Sequence, residues 1–185
     1  DEKGVEQFLI AGNAEKQGND TQISLNTDGL KLNYDVWSVH PENRLQFGKA
    51  GILAENFILS HQGSQIAIQS ETATPNSPLN ISIQDFKIQS ITEMLKKEAL
   101  LAKGNINGTV RISNLQKNMN FNADVQVSEL EMYDSAIGNI DIKAENTSAN
   151  VINTLVQLTG NENNLQLAGD FNTSNQSFDM VLNIQ

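Results

Sequence analysis

The chain has 185 residues, enough to bury a core in one or two domains. A net charge of −10 without any cluster of Lys and Arg argues against nucleic acid, whose phosphates demand such clusters, and against electrostatic docking on an anionic membrane surface. Cysteine is absent, which removes disulfides, thiolate metal sites and cysteine nucleophiles.

Taken in chain order, Asp1-Glu2-Lys3-Gly4 shows neither an initiator Met nor a signal-peptide apolar region, as in an excised segment or a mature product. No stretch approaches the ~20 apolar residues of a membrane helix, so any membrane anchor is expected outside this chain. An apolar run covers Val5 to Ala11. A hairpin is predicted next, with Ile23 and Leu25 on one arm, Thr27-Asp28-Gly29 at the turn, and Leu30, Leu32 and Tyr34 on the other. Residues 36–43, with Trp37, His40 and Pro41, read as a loop. Strand character resumes at Leu45/Phe47 and Ile52–Leu59, and His61-Gln62-Gly63-Ser64 is a turn into Ile66/Ile68. Thr74-Pro75-Asn76-Ser77-Pro78 is the one Pro-rich connector and the candidate sub-boundary within a single elongated β domain over 1–185.

After the strand at Leu79–Gln84, the period changes. Ile91, Met94 and Leu95 stand at helical spacing, with Ser90 and Glu93 placed as a capping box, so one short helix is predicted near 90–101. Strands then return to the C-terminus, punctuated by Gly108, Asn114, Gly138, Gly160 and Gly169. Their clearest expression is Asn118 to Val127, where every odd position is apolar and every even one polar. That period of two belongs to a strand with one dry and one wet face. Short turns between sequential strands favour an antiparallel meander.

The fold class is therefore all-β. A single helix of about 12 residues cannot roof so many one-sided strands. Their dry faces close on one another as a β-sandwich or barrel, or the sheet folds lengthwise into a U-shaped trough with an apolar interior. The dry positions of the second half are mostly aliphatic, which suits acyl chains and a packed core alike. The candidate wall residues are Ile106, Val110, Ile112, Phe121, Val125, Val127, Ile140, Ile142, Leu165, Leu167, Met180, Leu182 and Ile184. The 24 Asn tile wet faces and turns, and a compositional bias explains them as well as a binding role does.

From residue 100 the wording becomes specific. Leu101-Ala102-Lys103-Gly104-Asn105-Ile106-Asn107-Gly108-Thr109-Val110-Arg111-Ile112 resembles the Gly-x-hydrophobic-x-Gly-x-hydrophobic strand of the TamB/AsmA-like family of bacterial envelope proteins. Phe121–Val127, Leu130-Glu131-Met132, Ser135–Ile142 and Asn164–Phe171 fit the same order, and the short helix before the glycine strand has a counterpart there. The resemblance covers about residues 79–185. It implies a U-shaped antiparallel sheet, one segment of a larger protein in the periplasm of a diderm bacterium, anchored to the inner membrane outside this chain. It further implies phospholipid acyl chains, neighbouring segments of the same protein and an outer-membrane β-barrel as partners. The implied role is lipid supply or protein assembly at the outer membrane. That family offers no catalytic residues to carry across.

Enzyme chemistry finds no support in the residues. His40 and His61 lack metal-ligand spacing, no nucleophile elbow, Walker loop or H-E-x-x-H pattern occurs, and no cofactor is called for. The alternative function is a structural or adhesive β-sandwich module of a secreted or surface protein, with glycan as its ligand; few aromatics (Trp37, Tyr34 and Tyr133 among them) speak against glycan.

Overall fold

The computed structural model describes residues 5–92, 102–116, 119–160 and 163–185. The strands are β1 (Leu9–Gln17), β2 (Asp20–Leu32), β3 (Asp35–Val39), β4 (Arg44–Gly48), β5 (Gly51–Glu55), β6 (Phe57–His61), β7 (Ser64–Ser70) and β8 (Leu79–Lys87). After the helix α1 (Gln89–Thr92) come β9 (Ala102–Ser113), β10 (Asn120–Met132), β11 (Ser135–Ser148), β12 (Val151–Gly160), β13 (Asn163–Asn172) and β14 (Ser177–Ile184). All fourteen belong to one open antiparallel sheet, so the protein is all-β.

From β6 onward each strand pairs with the next in sequence. The first third follows the same plan with two interrupted strands. β3 lies along the C-terminal end of β2, with Leu30 opposite Trp37, and β4 lies along its N-terminal end, with Ile23 opposite Leu45. Asn43 bridges the gap, accepting from Leu25 N at 2.7 Å and donating to Leu25 O at 2.8 Å. In the next layer β5 pairs with β4 and β6 with β3. The whole is an up-and-down meander, the topology that short connections favour.

Four expectations from the sequence are corrected here. The hairpin turn lies at Asn33-Tyr34, not at Asp28-Gly29. Both Asn33 (φ 50°) and Tyr34 (φ 69°) occupy the left-handed region, as a two-residue type I′ turn demands. Asp28 and Gly29 sit inside β2, in a register slip against β1 between Ile10 and Gly12. Residues 36–43 are not a loop throughout, because Trp37 belongs to β3; only the stretch around His40–Asn43 interrupts the strand. Ser90 is not the helix cap, since the N–H groups of Ile91 and Thr92 both donate to Ile88 O, at 3.0 and 3.1 Å. The remainder of the predicted helix, residues 93–101, lies outside the described residues. Gly108, Gly138 and Gly169 fall within strands and do not end them.

Bulges recur with a common fastening. Asn56 (φ 49°), Asp85 (φ 44°) and Glu129 (φ 53°) each take a left-handed conformation within or between strands. In each case the freed N–H donates to a carboxamide on a later strand: Gln69 at 2.8 Å, Asn107 at 2.9 Å and Asn139 at 2.9 Å. Side-chain amides thus replace ladder carbonyls where the register slips.

The core sits on the dry face at the β2–β8 end. Leu30, Trp37, Val39 and Phe86 are buried, with Leu25, Leu32, Leu59, Ile66, Ile83 and Ile106 packed around them. Trp37 is on β3 and Phe86 on β8, three strand spacings or about 14 Å apart in a flat sheet. Their ring centroids are nevertheless 5.8 Å apart. The sheet therefore curls here, dry side inward.

Candidate apolar groove

The register decides which side chains share a face, because directly opposed residues of an antiparallel pair point the same way. One row runs Phe86–Ile106–Val127–Ile140–Leu158–Leu165–Ile184. A second runs Ile83–Gly108–Val125–Ile142–Val156–Leu167–Leu182, and a third contains Ile81, Val110, Ala123, Ala144 and Met180. Ile112 and Phe121 oppose each other in a fourth. All thirteen wall positions named from the sequence lie on this one face.

Several residues of the same face lie outside these thirteen. Val156 and Leu158 belong to it, but Val151-Ile152-Asn153-Thr154-Leu155-Val156 breaks strict alternation and hides the strand's dry side. Leu59, Ile66 and Ile83 extend the second row toward Val39. Phe171 and Phe178 stack at 4.6 Å on the outermost pair, at the rim.

Burial differs between the two ends of these rows. Phe86 is 3% exposed, the positions of β9–β13 are half-buried, and Leu182 and Ile184 on β14 reach 57% and 71%. Within β9–β14 no wall residue among the thirteen is fully buried. Gly108 occupies the middle of the second row, and a Cβ there would meet Asp124 O at 2.5 Å and Val125 Cα at 2.7 Å. The strand at this point is pressed against β10, a close approach that only glycine allows.

The opposite face is mostly polar and cross-linked, although Leu155, Ala168 and Val181 line up as an apolar row across β12–β14. Gln126 donates to Asp141 at 2.9 Å, Asn153 to Asp170 at 2.9 Å and Asn183 to Gln166 at 3.5 Å, while Lys143 pairs with Asp124 at 3.3 Å. Arg111 grips Glu71 through Nε at 2.7 Å and holds that carboxyl below its ordinary range. Glu131 and then Asp134 raise the Lys103 ammonium above its usual value. These groups are solvent-exposed, so each pair contributes little to stability. Their arrangement is that of a solvated surface: among the described residues no three His, Asp or Glu side chains gather as a metal site.

Histidine 61 is placed structurally. Its Nδ1 lies 2.8 Å from Val36 O, its Nε2 is 3.5 Å from Asp35, and its ring packs 5.7 Å from Trp37. The connector 74–78 is also accounted for by packing. Asn76 accepts from Ile52 N at 3.1 Å and donates to Ala50 O at 3.0 Å, so it blocks the outer edge of β5. β14 has no such cover among the described residues; it pairs with β13 over eight residues without a register slip and leaves its other edge open. No described helix is long and apolar enough to cross a membrane.

Comparisons with known proteins add no relative: no family model matches the chain, and neither does any curated protein or solved structure.

Proposed function

We propose that this chain is a segment of an envelope-spanning protein whose apolar groove holds or conducts phospholipid acyl chains, in the service of outer-membrane biogenesis or outer-membrane protein assembly. One observation carries the reading: aliphatic rows continue without a polar interruption from β9 to β14 in two registers, and remain half-exposed. Half-exposed rows of this kind leave apolar surface in contact with water, which marks a surface meant for contact. The chain acts by binding and needs no catalytic group.

Mechanism follows from the chemistry of the wall. Each methylene transferred from water gains about 0.8 kcal/mol, while head groups remain at the solvated rim. Successive positions along a row offer nearly the same Ile, Leu and Val surface, so a tail moves between them across low barriers. The open, unbulged edge of β14 supports a further partner, a neighbouring segment of the same protein adding strands to the sheet. The resemblance noted in the sequence supplies the periplasmic setting, the inner-membrane anchor and the outer-membrane barrel partner, which remain parts of this proposal.

Titration with an acyl-labelled fluorescent phospholipid tests the reading. Saturable binding that unlabelled phospholipid competes away is expected. An absence of binding by a folded protein would overturn it. A second reading, a structural or adhesive module with a glycan ligand, draws on the stacked Phe171–Phe178 pair, since Phe178 is 68% exposed and sugars favour such platforms. Oligosaccharide binding abolished by Phe178→Ala, without lipid binding, would favour that module.

A further inference from the structure

We infer that the groove is blind: it is closed at the β2–β8 end by a plug built around Trp37, and an acyl chain enters it only from the β14 side. The inference rests on the acyl-chain reading above and specifies where the site begins and ends.

Both continuous rows carry the same asymmetry. They start at exposed Ile184 and Leu182 and stay half-buried through β13–β9; the first then ends on buried Phe86, and the second runs on through half-buried Ile83, Ile66 and Leu59 to buried Val39. At the buried end the curl brings Trp37 of β3 to 5.8 Å from Phe86 of β8, and Leu30 and Val39 complete the cluster. Trp37, Phe86, Leu30 and Val39 are only 2–4% exposed, so they leave no opening of hydrocarbon width between them. Their backing is fixed: His61 lies against Trp37 while held at Val36 O, and Asn43 locks β2 at Leu25. Small Ser64, buried and bonded to Asp85 O at 2.6 Å, lets the two rings approach over β7. The far end of a bound tail therefore stops against Phe86 and Ile83, and its head group lies toward β14. The chain is a terminal berth for tails arriving across β14, and not a passage onward to β1.

The natural chain has a single tryptophan, and it stands in the plug. Phosphatidylcholine with brominated acyl chains quenches an indole that its tails touch. Added to the native chain, it is expected to leave Trp37 emission unchanged although lipid is retained. In the Leu182→Trp variant, whose new indole replaces an exposed side chain and leaves the plug intact, about half of the total emission should be lost. Quenching of Trp37 in the native chain would overturn the blind groove and indicate a through-channel. Retained lipid that quenches neither indole would also overturn it, by placing the tails elsewhere. Loss of lipid retention altogether, seen by mass after gel filtration, would sink the acyl-chain reading itself, and the blind groove with it.

Discussion

The two ends of one sheet treat the same kind of face in opposite ways. Between β2 and β8 the dry side curls on itself, Trp37 and Phe86 meet, and the aliphatic neighbours fill in around them. Between β9 and β14 the strands are longer and their alternation cleaner, but the face stays half-open and ends at exposed Leu182 and Ile184. Aromatic volume separates the two. A large ring in the middle of the face can reach across a curl; Ile, Leu and Val are too short to do so. In β9–β14 the dry-face aromatics are Phe121, Phe171 and Phe178, and the last two stack on each other at the rim.

Substitutions that attack each end separately should break the comparison most sharply. Trp37→Ala is expected to cost about 3–5 kcal/mol, the usual range for emptying a large buried aromatic site, whereas Leu182→Ala should cost under about 1 kcal/mol because its side chain is already largely in water. Urea midpoints of the two variants measure the contrast, and equal losses would show that the ends do not differ in packing. Trp37→Phe refines the point. The indole Nε1 is buried without a hydrogen-bond partner among the described residues, so a phenyl ring gives up some contact but removes an unsatisfied donor. That variant should fall well short of the alanine loss.

A smaller effect is expected inside the open wall. Gly108→Ala forces a Cβ against Asp124 O and Val125 Cα, an overpacking cost of about 1–3 kcal/mol. Asn107→Ala should cost about 1 kcal/mol, by removing the carboxamide that accepts from Asp85 N at the bulge. Thermal unfolding reads both, and a neutral Asn107→Ala would mean that the bulge needs no fastening.

How much of this was legible in the sequence depended on the range of the signal. Period-two alternation is local, so Phe121, Val125 and Val127 could be assigned to a single face from their own strand, and the meander followed from short connections. Asp28-Gly29 misled because the dipeptide is a strong turn former, yet Asn33-Tyr34 turns the chain and Asp28-Gly29 is absorbed in β2. His40 and Pro41 just beyond Trp37 suggest a loop there, yet the break they sit in begins only after Val39. The Asn excess gained a structural meaning only in three dimensions: Asn43, Asn107 and Asn139 accept N–H groups 18, 22 and 10 residues away, partners that no local pattern reveals.

The smallest expected effect concerns pH and lies on the wet face. Arg111 lowers the Glu71 pKa on folding. A carboxyl with a depressed folded value stabilises fully above its unfolded pKa, about 4.3, and loses that contribution as pH falls through the folded value. Glu71→Gln should therefore lower stability slightly at neutral pH and converge with the native chain on acidification. Acid titration of the two unfolding midpoints checks the sign, and a difference that grows toward low pH would contradict it.

Whether the β9–β14 face is a wall for lipid tails is decided by native mass spectrometry of the purified chain, with extraction and identification of bound lipid. Stoichiometric phospholipid is expected, and it should disappear when Val125 and Ile142, opposed across β10 and β11, are both replaced by Asp in a variant whose circular dichroism is unchanged. A lipid-free native monomer that binds no apolar dye would contradict it and place the dry faces against one another.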